Sequence, residues 1–208
     1  MLDKIYVFDD IIEKDYQNKI KSILIGQVRY NDEDFPWNYI DDVTASGDYE
    51  NQKRGAFVHD YVNYEYGIES DFHYLFLDLI KKSCSKLKIK EVDALQGRSF
   101  LQLPTNIKRE DVDSPHTDMQ FKHFVMLYYV CDSDGDTLIY NEKTKFAACY
   151  PDSEMKFTLK KKISPKQGRV VLFNGIHWHT AQQPNHNLRC IVNYNLRDLS
   201  KVMPGVRI

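Results

Sequence analysis

The chain has 208 residues, a length that suits one domain of the larger all-β or α/β kind, and 42% hydrophobic with 13% aromatic residues is enough for a sizeable core. Twenty-eight basic against 30 acidic residues leave a formal net charge of −2, which argues against nucleic acid as the partner. The four cysteines, Cys84, Cys131, Cys149 and Cys190, form no C-x-x-C pair, so neither a zinc ribbon nor a dense disulfide framework is expected.

At the N-terminus MLDKIYVFDD puts acids where a signal peptide needs an apolar run, and no stretch approaches the ~18 apolar residues of a membrane span. A soluble, cytoplasmic protein with no membrane partner is the expectation. KIYVF (4–8) reads as a short strand stopped by Asp9 and Asp10. EKDYQNKIKSILIG reads as an amphipathic helix with Tyr16, Ile20, Ile23 and Leu24 on one face and Gly26 at its end. From Val28 to Tyr66 the pattern is irregular and aromatic, and 59–66 reads as a loop. Residues 70–89 predict a second helix capped by Ser70, with Phe72, Leu75, Phe76, Leu79, Ile80 and Leu87 at helical spacing.

Beyond Val92 the character changes. SFLQL, FVMLYYV, TLIYN, FAACY, KFTL, GRVVLF and RCIVNYNL are short β-branched and aromatic runs divided by turn residues. They predict an antiparallel sandwich or barrel of about eight strands carrying N-terminal helices, within a single domain of 1–91 (helical and aromatic) and 92–208 (β core). LKKKISPK (159–166) reads as a solvated strand edge, where lysines discourage strand-to-strand aggregation. DSDGDT (132–137) fails the calcium-loop pattern, lacking its glycine and its closing glutamate, and reads as a hairpin turn. Residues 104–115 form a long polar loop of the kind that serves as a lid or binding loop.

That loop runs into SPHTD. His116 and Asp118 are two apart, so on an extended strand they share a face, an imidazole beside a carboxylate. A third ligand is sought among the remaining histidines. His73 reads as solvated on its helix, His59 has no evident partner, His123 is a strand-end residue and His186 lies in an exposed turn. H-W-H supplies His177 and His179, again two apart and expected on one face, about sixty residues downstream. Two histidines and one carboxylate on one face of iron, with the other positions open, is the arrangement of non-haem Fe(II) oxygenases. Arg189 follows His179 by ten residues across the turn PNHN, which brings a guanidinium beside the metal, and a dicarboxylate is its natural mate.

The order H-x-D, a strand ending in YYV, a hairpin containing G-D-T, PKQGRVVLFNG, then His and an Arg ten residues on resembles the Fe(II)/2-oxoglutarate-dependent dioxygenases, nearest to their prolyl 4-hydroxylase-like branch. KIYVFDDIIEKDYQNKI also resembles that branch's opening strand and helix. The resemblance implies a double-stranded β-helix (jelly-roll) barrel. It implies Fe(II) held by His116, Asp118 and His179, with O2 as co-reactant and ascorbate as accessory. It implies 2-oxoglutarate paired through its far carboxylate with Arg189 and Tyr129, and Thr180 and Asn193 lining the pocket. His177 competes as a ligand, but it stands twelve residues from Arg189, so His179 is preferred.

The hairpin DSDGDTLIYN departs from the two-glycine form common in the branch, which leaves the substrate open. The polar loop 104–115 and the stretch 59–66 suit a clasped peptide or protein, a prolyl residue included, as well as a small molecule. Two other readings stay open: a non-catalytic metal-binding β-barrel module, and a metal-dependent hydrolase or isomerase with Glu142 or His177 as its acid or base.

Overall fold

The computed structural model describes residues 2, 4–43, 53–105, 112–145, 149–152 and 154–201. In chain order they form β1 (Tyr6–Phe8), α1 (Lys14–Ile25), β2 (Asn38–Ile40), β3 (Ala56–Asn63) and β4 (Gly67–Ile68). A 3-10 segment (Asp71–Phe76) then leads into α2 (Leu77–Lys86) and β5 (Val92–Gln102). The remaining strands are β6 (Phe124–Tyr129), β7 (Thr137–Lys143), β8 (Leu159–Ile163), β9 (Val170–Asn174), β10 (His177–Ala181) and β11 (Arg189–Asp198).

Two antiparallel sheets face each other. The larger runs β1-β9-β6-β11-β5-β3-β2 with β4 hung on β3, and the smaller runs β10-β7-β8. Alternation along the strands makes two apolar layers. On β6, Phe124, Met126 and Tyr128 face the helices, where they meet Ile20, Ile23 and Leu24 of α1 and Leu79 and Ile80 of α2. The alternate residues Val125, Leu127 and Tyr129 face the smaller sheet and pack with Ile139, Ile163 and Phe173. Each such buried side chain contributes roughly 1.5–3 kcal/mol. The same parity on β11 sends Cys190, Val192, Tyr194 and Leu196 toward the helices and leaves Arg189, Ile191 and Asn193 on the inner face. This is the mainly β jelly roll with helices on one sheet that the sequence predicts. Among the described residues no helix is long and apolar enough to cross a membrane.

Several local expectations change. Of residues 59–66 only 64–66 form a turn: Ala56–Asn63 is a strand paired with β5, and a register shift between Asp60 and Val62 breaks its period-2 pattern. Strands β1 to β4 therefore place the N-terminal portion within the large sheet. The predicted helix 70–89 opens as a 3-10 segment, with Ser70 accepting from the Phe72 amide as expected of a cap. His73 is buried, bonded through Nδ1 to the Tyr194 hydroxyl at 3.0 Å, and not solvated. In FAACY, residues 146–148 lie outside the described residues, as do 106–111 of the polar loop, while Cys149 and Tyr150 form a bend. The strand expected at KFTL starts only at Leu159 and continues through the lysines as the exposed edge of the small sheet.

Candidate metal centre

The outer edge of β10 has residues 112–116 alongside it. His116 and His179 exchange backbone hydrogen bonds in both directions, at 2.9 and 3.0 Å, and the Asp113 amide donates to the Ala181 carbonyl. Two histidines far apart in sequence thus become directly opposed neighbours across a seam. Their ring centroids lie 4.7 Å apart. The Nε2 of each stands 3.7 Å from Oδ1 of Asp118, and one ligand atom from each of the three residues lies within 4.8 Å of the others.

Hydrogen bonding fixes which ring nitrogen is available. Nδ1 of His116 lies 3.2 Å from the Ser114 carbonyl and Nδ1 of His179 lies 3.1 Å from the His177 carbonyl. A carbonyl only accepts, so Nδ1 carries a proton in each ring and Nε2 is the nitrogen that faces Asp118. Burial, then the neighbouring His179, pushes the His116 imidazole down to about 4, which favours the neutral, ligating form. Burial would raise the Asp118 carboxyl, but His179, His116 and Arg98 outweigh it and hold it well below the usual carboxylate range. Its Oδ2 accepts from Asn193 Nδ2 at 3.3 Å, leaving Oδ1 for the histidines. Two imidazole nitrogens and one carboxylate oxygen converging on one point suit a divalent transition metal such as iron.

Arg189 lies at the other end of the same cavity and is 3% exposed. Its Nε donates to the Gly135 carbonyl at 3.0 Å, Nη1 to Gln102 Oε1 at 2.7 Å and Nη2 to Thr137 Oγ1 at 2.9 Å. All three acceptors are neutral, and Asp113 acts on the guanidinium through space only. Tyr129 donates to the same Thr137 oxygen at 2.7 Å. With two bonds accepted, Thr137 Oγ1 keeps its own proton to donate. Gly135 is glycine for a steric reason: a Cβ there would lie 2.7 Å from the Gln182 carbonyl and 2.9 Å from Cδ of Arg189.

No family model matches the chain, and no curated protein matches it in sequence. Solved structures do match its fold. An oxidoreductase of the 2OG-Fe(II) oxygenase family from Burkholderia pseudomallei is 11% identical, covering 93% of this chain and 85% of that one at a TM-score of 0.63. The viral collagen prolyl hydroxylase of Paramecium bursaria Chlorella virus-1, in its 2OG complex, is 14% identical over 93% and 95% of the two chains at 0.53. HygX from Streptomyces hygroscopicus, with nickel, 2-oxoglutarate and hygromycin B bound, is 11% identical over 92% and 82% at 0.57. The fold is that of the 2OG-Fe(II) oxygenases.

Within this oxygenase fold, His116, Asp118, His179 and Arg189 share one cavity, and Thr180 and Asn193 line it as expected. Tyr129 does not line it; the buried ring lies 6.0 Å from the Arg189 guanidinium above it, and its hydroxyl meets Arg189 through Thr137. His177 does not share the face of His179. A register shift between the two turns it away, so that Nδ1 meets the Tyr140 carbonyl at 2.9 Å and Nε2 meets Lys160. His59 bonds Ser70, His123 is buried beside Gly175, and His186 is exposed. Sequence reasoning missed Gln102, Thr137, Asp113 and Arg98. The signal for Gln102 was a polar residue at the inward position of SFLQL; Thr137 follows the turn as the first residue of its strand.

Asp113 carries a pH dependence. Gln183 Nε2 donates to its Oδ2 at 2.6 Å, but burial outweighs that bond and the Arg189 charge, raising the carboxyl from 3.8 to about 6. The folded state therefore binds this proton more tightly than the unfolded chain. The stabilisation is full below the unfolded value and is lost as pH rises through about 6, on the order of 2–3 kcal/mol. Asp113→Asn keeps the acceptor for Gln183 and removes the titration. Denaturant unfolding at pH 4.5 and 7.5 should show a smaller drop for the variant than for the parent; parallel drops would refute the assignment.

Proposed function

We propose that the chain is an Fe(II)- and 2-oxoglutarate-dependent dioxygenase that hydroxylates an unactivated C–H bond, with peptidyl (prolyl) and small-molecule substrates both compatible with the fold. The observation that carries this is the pairing, in one cavity, of a two-histidine, one-carboxylate cluster with a buried guanidinium whose three bonded partners are all neutral. A buried cation whose bonded partners are all neutral is costly unless an anion completes it.

His116, Asp118 and His179 would hold the metal, with Asn193 fixing the Asp118 carboxylate. Arg189 would take the far carboxylate of 2-oxoglutarate, and the Thr137 hydroxyl, oriented by Tyr129, would donate to it. When bound, iron and 2-oxoglutarate supply the oxidising chemistry, in which O2 is consumed, 2-oxoglutarate becomes succinate and CO2, and one oxygen enters the substrate. The apolar walls, Val125, Leu127, Phe173 and Ile191, exclude water from that chemistry. Four cysteines without a disulfide suit a reducing compartment, the cytoplasm.

A hydrolase or isomerase on the same ligands would have no use for Arg189. It would also need an acid or base at the metal, and both residues considered lie elsewhere: Glu142 is bonded to Thr158 and His177 is turned to Tyr140. The test is succinate formation by anaerobically purified protein given Fe(II), 2-oxoglutarate, ascorbate and air. Slow uncoupled succinate release, absent in His179→Ala, is expected. Failure of the wild type to form the metal-to-ligand absorption band with Fe(II) and 2-oxoglutarate would overturn the reading.

A further inference from the structure

Beyond helping to hold the Asp118 carboxyl low, Arg98 is a charged residue of the cavity with no further task in the chemistry above. Among the other charged side chains lining it, Asp118 belongs to the metal cluster, Arg189 to the cosubstrate anchor, and Asp113 is bonded to Gln183. Arg98 lies on β5, whose inward positions Gln102, Phe100 and Arg98 stand opposite Arg189, Ile191 and Asn193 of β11. Gln102 marks the Arg189 end. Four residues along an extended strand, about 13 Å, separate it from Arg98, which therefore lies at the far end of the cavity, beside Asp118.

The two arginines are treated differently. All three donor nitrogens of Arg189 are bonded. The buried Nε of Arg98 has no hydrogen-bond partner among the described residues, and its Nη2 stands 3.8 Å from Asp118 Oδ1, beyond hydrogen-bond reach. Its guanidinium lies 5.0 Å above the Phe100 ring, which orients the plane without neutralising the charge. The side chain is 26% exposed, between His116 at 34% and His179 at 10%, so it reaches solvent beside the metal cluster. The Asp118 oxygen nearest to it is the one that faces both histidines. A carboxylate oxygen that ligates a metal shares its charge with that cation and compensates a neighbouring guanidinium less fully.

We infer that Arg98 binds a carboxylate of the substrate, so that the substrate of this oxygenase is a small carboxylic acid, such as a free amino acid, with its reacting C–H a few bonds from that group. The inference rests on the proposed function and narrows it. The planar fork of the guanidinium matches a carboxylate through two parallel bonds. Anchored there, the substrate enters from the mouth while 2-oxoglutarate occupies the Arg189 side, and the two meet at the metal cluster. An internal residue of a peptide offers no carboxylate of its own backbone to this fork.

The test uses anaerobic protein loaded with Fe(II) and 2-oxoglutarate. L-amino acids, their 2-hydroxy analogues and the corresponding primary amides are titrated against the metal-to-ligand absorption band, and the responders are assayed for stimulated succinate release in air. At least one acid should perturb the band and stimulate turnover, with its amide weaker by about tenfold or more, as expected for loss of a charge-assisted bidentate pair. Arg98→Gln should erase the acid-over-amide preference while the 2-oxoglutarate band persists, and Arg98→Lys should retain part of it. The inference is overturned if no acid perturbs the band, if acid and amide are equal, or if Arg98→Gln keeps the preference. Weaker Fe(II) binding in Arg98→Gln without any acid preference in the parent would reduce Arg98 to a positioning residue for Asp118. Absence of the band in the wild type would instead refute the oxygenase reading itself.

Discussion

Arg189→Ala is expected to weaken 2-oxoglutarate binding by about 10²–10³-fold and to leave Fe(II) binding unchanged. Removing one partner of a buried, hydrogen-bonded charge pair costs about 2–5 kcal/mol, because the remaining carboxylate stays desolvated without its cation. The expected loss, about 2.7–4.1 kcal/mol, lies above the bottom of that range. The guanidinium is 3% exposed, and its Nε and Nη groups are already aligned by Gly135, Gln102 and Thr137, so no ordering cost offsets the bond in the parent. Thr137 would keep its hydroxyl donor, which accounts for residual binding. Anaerobic titration of the absorption band reads the affinity, and metal competition reads the iron site. A change under about threefold in 2-oxoglutarate affinity would remove Arg189 from the anchor role.

Asp118→Ala should abolish the metal centre. It removes the cluster's one carboxylate and leaves two neutral imidazoles, which hold a divalent cation far less tightly. If the ~10–16 kcal/mol of a four-ligand structural zinc site is divided evenly, one ligand accounts for about 3–4 kcal/mol, or about 10²–10³-fold in affinity. Asn193→Ala is the graded form of the same experiment. It leaves all three ligands and loses only the 3.3 Å bond to Asp118 Oδ2, so a loss of about 10–100-fold is expected. Competition against a chelator with anaerobic Fe(II), or with Mn(II) as a redox-quiet substitute, measures both. Two variants that bind within threefold of the parent would exclude this cluster as the metal site.

How much of this was legible beforehand differs between the ligands and their surroundings. The convergence of His116, Asp118 and His179 was readable from residue type and spacing, although His116 forms only an isolated bridge and Asp118 lies in a bend, not on the extended strand expected. That argument failed at His177, where the register shift against β7 changes the geometry and nothing in H-W-H announces it. The helix at 14–25 was readable from periodicity, whereas β3 was hidden because His59 and Asp60 interrupt the apolar pattern and a bulge follows them. β6 is buried on both faces, so its six residues carried no alternation that would assign Tyr129 a side. Gln102, Thr137 and Arg98 were illegible for another reason. Their roles come from which strands lie next to one another, and a polar residue in a strand reads equally well as solvated until its neighbours are known.

The seam between residues 112–116 and β10 has one more consequence. His116 and His179 sit on opposite sides of it, joined by a reciprocal pair of backbone hydrogen bonds, with the Thr180 hydroxyl and the Asp113 amide adding further ties across the same line. A cation gripped by both imidazoles would act as a rivet through two plates. Cation release and separation of the plates then lie along one motion, so the escape rate of the ion is governed by how often an edge segment lifts from its sheet as much as by the strength of its bonds to three side chains.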